Sequence, residues 1–447
     1  MTIHSYVEAL LKYAEEFLLL DSLDESYIRE RAYSLLNLGY PDEEMTVDVE
    51  DLEEMASPAL IVNKIMNYAL ESGIVSAEET ELFKARLMDC FVKRPSEIQE
   101  IFTSIAAKNA GKAVSWIQDY NVKSGFTSDP IKRWEARSTK GKLEVSFLPQ
   151  KSKAEVCKFC HDIEGHGIYR NLRVAPLEID GTETYYIPSK YPKFNGQGYL
   201  ALAEHKPLAL NEKTLGLMVK FLASTAGHFV AFKPCDCQKK HGHLVVGEKL
   251  LPIMKAEGLT QLKNKEYPYI TLWLVDWYVP TIRMSSSTPD KLIEFALKTI
   301  SAWNLPCGVA MRKHDNIYVL DLILTGNKEV KAKNAGLIRG KLDFAAFMGA
   351  FALDNEIYED ALKIEKLLTK ELNLKTAGNL DHLEQMIQKL MKEVGTAKLS
   401  PIEAALDVKE IINHTLEEAL KDVAVFPVGS EELLVLFEQT LDIKKHI

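Results

Sequence analysis

A chain of 447 residues that is 47% apolar and 26% charged can fill two or three domain cores and has the composition of an ordinary globular protein. Its 54 Lys and Arg against 64 Asp and Glu leave a net charge of −10, with no long basic block. General binding to nucleic acid or to an anionic membrane is therefore not expected, although a local basic pocket for a phosphorylated small molecule is compatible with it. Six cysteines are too few for a disulfide scaffold in a chain this long. The first twenty residues are amphipathic and carry Glu8, Glu15 and Glu16, unlike a signal peptide, and no window approaches a membrane span, so a cytosolic location is expected.

From residue 4 to about 123 the apolar residues recur at helical spacing, as in Tyr6, Leu10, Leu11, Tyr13, Ala14, Phe17 and Leu18, and again in Leu82, Phe83, Leu87 and Cys90. Residues 76–79, Ser-Ala-Glu-Glu, read as a capping box that starts a helix. The acidic stretch 42–54 reads as solvated surface. At 141–147 the period changes to two, and the centre of the chain reads as α+β. Strands are predicted at 143–147, 184–187, 198–203, 229–232, 243–246, 269–277 and 317–324, with helices at 211–225 and 289–303. Beyond 342 the pattern returns to helix, at 344–351, 355–372, about 381–394 and two short final segments. This divides the chain into a helical region 1–125, a first central half 126–260, a second half 261–345 and a helical region 346–447, the two halves being candidate diverged structural copies.

The chemistry concentrates at Lys240-His241-Gly242-His243. Two histidines at i and i+2 in an extended segment direct both imidazoles to one side. Upstream, Cys157-Lys158-Phe159-Cys160 has the spacing with which two thiolates grip one zinc from a turn, and His205 closes a strand-like run. Cys157, Cys160, His205 and His241 together make a closed Cys2His2 set with His243 beside it. Cys235-Asp-Cys237 is a competing pair, and a site built from Cys235, Cys237, His241 and His243 would occupy the second histidine. Two satisfied histidines in a half-buried strand are the plain structural alternative.

Several blocks resemble the hexose-1-phosphate uridylyltransferases of the second, bacterial class. They are Leu143-Glu-Val-Ser-Phe-Leu-Pro-Gln-Lys151, the Cys157-x-x-Cys160 pair with Glu164-Gly165, the His-x-His with Pro252-Ile-Met254, Asp276-Trp277-Tyr-Val-Pro-Thr-Ile-Arg283, Trp303, and Val319-Leu-Asp321 through Asn327-Lys328. Residues 341–353 match the helix that follows the core, and the likeness spans roughly 5–370. It implies an antiparallel core of the histidine-triad-like kind, wrapped by helices from both termini. It also implies a two-step transfer in which His243 attacks the α-phosphorus of a UDP-sugar, releases hexose 1-phosphate and holds UMP until an acceptor hexose 1-phosphate takes it. The other ring nitrogen of His243 would be fixed by a backbone carbonyl, and the zinc at Cys157, Cys160, His205 and His241 would be structural. Arg170, Arg173 and Asn195 lie where that family contacts nucleotide or phosphate, and a homodimer is among the assemblies the resemblance suggests.

The chain departs from that pattern on the substrate side. Val245 stands where the family has a glutamine that donates to the phosphoryl oxygens, a group worth about 2–4 kcal/mol of barrier in comparable sites. The approach to the His-x-His is Phe232-Lys-Pro-Cys-Asp-Cys-Gln-Lys-Lys240, in which Lys233, Lys239 and Lys240 could supply positive charge to a diphosphate, and Asn304-Leu-Pro-Cys307-Gly308 replaces a His-Asn-Thr block. Two alternatives follow: a catalytically silent, zinc-containing relative that binds a nucleotide-sugar or a protein, and a nucleotide hydrolase or phosphorylase using the same histidine.

Overall fold

The computed structural model describes residues 2–41, 58–127, 133–148, 157–165, 170, 172–234, 241–303, 305–326, 342–354, 408–441 and 443–445. Among the described residues the helical period of the first region becomes six α-helices, Ile3–Phe17, Glu25–Leu35, Ala59–Glu71, Thr80–Phe91, Pro95–Ala106 and Ala110–Lys123. Short polar side chains cap two of them, Thr2 accepting from the Ser5 amide and Asn109 from the Lys112 amide. At Ser76 no capping box forms. The Ser76 hydroxyl instead donates to the Glu79 carboxylate at 2.9 Å, and a 3-10 turn leads into the helix at Thr80.

The central strands are β1 Arg133–Ser138, β2 Gly141–Leu148, β3 Ala175–Ile179, β4 Thr182–Pro188, β5 Gly198–Leu202, β6 Phe229–Phe232, β7 His243–Gly247, β8 Gly258–Asn264, β9 Thr271–Val275, β10 Thr281–Ser286, β11 Cys307–His314, β12 Ile317–Leu324, β13 Ala350–Asp354 and β14 Ile443–Lys445. Eleven of them form one sheet in the order β14-β8-β9-β10-β12-β11-β6-β7-β5-β4-β3, antiparallel throughout. The order contains a repeat. β3-β4-β5, helix Glu212–Ser224, then β6 and β7 gives the order first-second-third-fifth-fourth. β8-β9-β10, helix Pro289–Trp303, then β11 and β12 gives the same order, and the two fourth strands, β6 and β11, pair at the centre. β3–β7 and β8–β12 thus form two α+β units of the same strand order that share a continuous sheet.

Both crossover helices pack on one face of the sheet. Leu244, Val246, Val230, Val309, Leu320 and Leu322 point there and share a core with Leu215, Met218, Leu222, Leu292 and Phe295. The alternate residues form the opposite face, where one cross-strand row reads Tyr199, Val245, Ala231, Ala310, Asp321, Arg283. A second core with Leu251, Ile253, Trp277, Phe347 and Leu416 covers much of this row. His243 is on this face, because Leu244 is on the other.

Residues 344–351 differ from the predicted helix. Helix is confined to Phe344–Phe347, Gly349 takes φ +93°, and β13 then pairs parallel to β2, with Phe351 and Leu353 buried around exposed Ala352. A Cβ at Gly349 would come within 2.7 Å of Pro252 Cβ, so the turn depends on glycine twice over. The helices predicted at 355–372 and 381–394, and the whole acidic stretch 42–54, lie outside the described residues. The two final segments are helices Val408–Val423 and Glu431–Leu441.

Candidate metal cluster and the adjacent histidine

Gly242 sets the geometry between the two histidines. Its amide donates to the Lys206 carbonyl at 2.7 Å, and its carbonyl accepts from the Leu202 amide at 3.0 Å, so the loop after β5 lies directly on it. A Cβ there would be 2.8 Å from both Leu208 Cγ and the Lys206 oxygen. Only glycine lets that loop, which carries His205, approach so closely.

Cys157 precedes helix Lys158–Glu164 and Cys160 lies in its first turn. The donor atoms of Cys157, Cys160, His205 and His241 all fall within 4.8 Å of one another. Cys160 Sγ is 3.0 Å from His205 Nδ1 and 3.5 Å from His241 Nδ1, and Cys157 Sγ is 3.8 Å from His241 Nδ1. His241 is buried, and its Nε2 lies 2.6 Å from the Leu202 carbonyl. A carbonyl only accepts, so the proton sits on Nε2 and the Nδ1 lone pair faces the thiols. Burial, partly offset by that bond, lowers the His241 pKa and favours the neutral, ligating form. Burial and then the adjacent Cys157 push the Cys160 thiol up to about 11, as expected of a thiol pair that needs a cation before both can ionise. Two sulfurs and two imidazoles converging from three separate chain segments are a donor set that fits a tetrahedral metal ion.

His243 opens β7, opposite Ala201 of β5, and is half-buried. Its Nδ1 lies 3.0 Å from the His241 carbonyl, which assigns the proton to Nδ1 and the lone pair to Nε2. The ring is held by aromatics, with Phe159 at 4.3 Å and an interplanar angle of 35°, and Tyr199 edge-on at 5.6 Å. Phe159 lies between the two cysteines in sequence and also approaches His241 at 5.8 Å, so the metal cluster and His243 meet on one ring. The arrangement can present an oriented, neutral imidazole nitrogen as a nucleophile. Val245, two residues on, faces the same side and is flanked by Tyr199 and Ala231. No polar atom is available from it.

The other sequence candidates are placed elsewhere. Arg170 pairs with Asp89 at 2.7 Å. Arg173 is buried and donates to the Lys93 and Arg170 carbonyls at 2.7 Å each, while its amide donates to Asn121. Both arginines thereby tie the helical region to the core. Asn195 is exposed in the turn before β5, at the Gly198 end of that strand, whereas His243 faces Ala201 near the other end. Lys240, Cys235 and Cys237 lie outside the described residues. Sequence reading missed Phe159 and Tyr199. Phe159 stood inside a motif already singled out, but Tyr199 becomes legible only once the β5–β7 register is known.

Among the described residues no helix is long and apolar enough to cross a membrane. No protein-family model matches the chain. The galactose-1-phosphate uridylyltransferase of Fusobacterium nucleatum is 23% identical over 95% of this chain and 96% of that protein. Its counterpart from Bacillus subtilis is 22% identical, covering 96% of each. Galactose-1-phosphate uridylyltransferase 1 of Streptococcus pneumoniae is 23% identical, covering 97% of each. Among solved structures, yeast Ap4A phosphorylase Apa2 in complex with AMP aligns over 71% of this chain and 97% of that one, at 11% identity and a TM-score of 0.40.

Proposed function

We propose that this chain, a distant relative of the galactose-1-phosphate uridylyltransferases along nearly its whole length, is a nucleotidyltransferase that moves UMP between a UDP-sugar and a hexose 1-phosphate. The observation that carries the reading is the His243 ring, whose Nδ1 is tied to the His241 carbonyl at 3.0 Å so that Nε2 holds the lone pair. Nε2 attacks the α-phosphorus, the bond to the departing hexose 1-phosphate breaks with its electron pair going to the leaving oxygen, and a uridylyl-imidazole remains. Hexose 1-phosphate then attacks the same phosphorus and the imidazole leaves neutral. Phe159 and Tyr199 keep the ring in one orientation through both steps, which reduces the entropy lost on reaching the transition state.

Cys157, Cys160, His205 and His241 would hold a zinc ion, which when bound cross-links the helix of the cysteines, the loop after β5 and the start of β7. Its role in this reading is to fix the segment that carries His243. The location consistent with this substrate class is the cytosol, and a homodimer is the assembly to test first. Arg170 pairs with Asp89 and Arg173 with the Lys93 carbonyl, and in this reading the phosphate contacts come from other residues.

The test is intact-mass analysis after incubation with UDP-glucose or UDP-galactose, with zinc measured on the same sample. Wild type should gain a UMP-sized increment that hexose 1-phosphate discharges, and His243→Ala should gain none. Zinc-loaded wild type that gains no increment sinks the transferase and favours the silent relative, for which apolar Val245 is the supporting observation. An increment discharged by water or inorganic phosphate but not by hexose 1-phosphate assigns a hydrolase or phosphorylase instead.

A further inference from the structure

A phosphoryl group attacked by His243 needs positive charge or hydrogen-bond donors on its oxygens, and Val245 provides neither. The register of the sheet indicates where the charge comes from. β6 pairs antiparallel with β7, with Phe229 against Gly247, Val230 against Val246 and Ala231 against Val245. Carried two residues further, the same register sets Lys233 across from His243. Lys233 is also two residues beyond Ala231, so its side chain leaves the sheet on the face that His243 uses.

The surroundings keep it there. On the other side of β6, the β6–β11 register, Phe232 against Val309, sets Lys233 against Gly308. Gly308 has no side chain to fill the space, and a Cβ on it would be 2.4 Å from the Phe344 ring. Helix Phe344–Phe347 therefore lies down on the sheet at this point, and the Lys233 ammonium sits 5.1 Å from the centre of the Phe347 ring. That contact holds the cation on the His243 side of the sheet. Lys158 is a second cation near His243, and its ammonium lies over the Tyr199 and Phe159 rings at 4.9 and 5.8 Å, on the aromatic side of His243.

We infer that Lys233 is a catalytic residue whose ammonium contacts the phosphoryl oxygens of the nucleotide held at His243, the positive charge replacing a neutral donor on β7. This rests on the uridylyltransferase reading. Lys233 transfers no proton: it stabilises the charge that grows on the non-bridging oxygens as the bond from His243 Nε2 to the α-phosphorus forms and the bond to the leaving phosphate breaks.

The experiment compares wild type, Lys233→Met, Lys233→Arg and Lys158→Met, all zinc-loaded and checked for melting temperature. Two readouts are taken: the single-turnover rate of UMP transfer to His243 from a UDP-hexose, and the equilibrium affinity for UDP at two salt concentrations. In Lys233→Met the stem still covers Phe347 but the charge is gone. The rate should fall by about 100-fold or more, UDP affinity by about tenfold with a shallower salt dependence, and Lys233→Arg should recover most of both. Rate and affinity in Lys233→Met within threefold of wild type would overturn the inference. So would a loss seen in Lys158→Met instead, or one shared by Lys233→Met and Lys233→Arg and tracking lost zinc or melting temperature. Should wild type take no UMP, the transferase reading has failed and UDP affinity alone decides. An unchanged affinity in Lys233→Met, or a wild type that does not bind UDP, overturns the inference.

Discussion

Gly242→Ala puts the proposed cross-link between β7 and the His205 loop under a defined load. The added methyl would stand 2.8 Å from Leu208 Cγ, 2.8 Å from the Lys206 carbonyl oxygen and 2.9 Å from the Leu208 amide nitrogen. Two of these three atoms are backbone, so no rotamer change relieves the contact. Ordinary van der Waals spacing requires the loop to retreat by about 0.6 Å. The retreat stretches the 2.7 Å bond from the Gly242 amide to Lys206 and moves His205, whose Nδ1 is now 3.0 Å from Cys160. Overpacking of this kind costs about 1–3 kcal/mol. Displacing one of four metal ligands should also weaken zinc binding by about 10- to 100-fold, as loss of a supporting contact does elsewhere. Titration against a chromophoric chelator measures the affinity, and a thermal melt with and without zinc measures the coupling. The expected result is weaker zinc binding together with a melting temperature that is lower and less responsive to zinc. If Gly242→Ala binds zinc with wild-type affinity and melts as wild type does, the loop does not depend on this approach and the reasoning fails.

Two further outcomes concern stability alone. Asp321 is fully buried and accepts from Arg283 Nε and from Arg312 Nη1 at 2.7 Å each, while the same guanidinium groups bond the Ile253, Met254 and Ala256 carbonyls. Asp321→Asn leaves two half-buried cations without their buried anion and should cost about 3–5 kcal/mol in denaturant unfolding; a loss under about 1 kcal/mol would refute the network's role. Glu417, on helix Val408–Val423, accepts from the Thr139 hydroxyl at 2.6 Å, the Thr139 amide at 3.1 Å and Lys421 at 2.9 Å. Burial raises its pKa, but these donors outweigh it and the net shift is downward. A lowered folded value means stability that is present above the unfolded value, about 4.3, and is lost as pH falls through the folded one. Glu417→Gln should therefore flatten the loss of stability below about pH 4.3. Acid unfolding curves of equal slope for mutant and wild type would contradict this.

The sequence was most informative where a local pattern suffices. The helix between Asn211 and Thr225 was legible from its period and its cap, since Asn211 accepts from the Thr214 amide. Strands β6 and β12 appeared at their full lengths because apolar runs flanked by turn residues mark buried strands. β13 begins inside a predicted helix, and β1, β3, β8, β10, β11 and β14 were missed. Their side chains, among them Lys263, Arg283, Arg312 and Lys313, carry charges that break a simple alternation, and pairing across the sheet decides them as strands. The same limit explains Asp321. In isolation it is one acid in an apolar run, and only the partners Arg283 and Arg312, brought by β10 and β11, account for its burial.

At the candidate site, residue type and spacing pointed to the four residues whose donor atoms converge, because thiol and imidazole chemistry is fixed by the side chain itself. Tertiary structure alone decided which groups surround them. Arg170 and Arg173 were offered as phosphate contacts, and the fold gives them partners in Asp89, Lys93 and Asn121 that no local pattern announced. Tyr199 carried no signal until the register of β5 set it beside His243, and Lys233, one of three lysines offered for a diphosphate, is singled out from the other two only by the register of β6. Local sequence determines what a side chain can do, whereas its neighbours are brought from about ten to more than a hundred residues away by the fold, and that choice is made by burial of the whole sheet rather than by any segment of it.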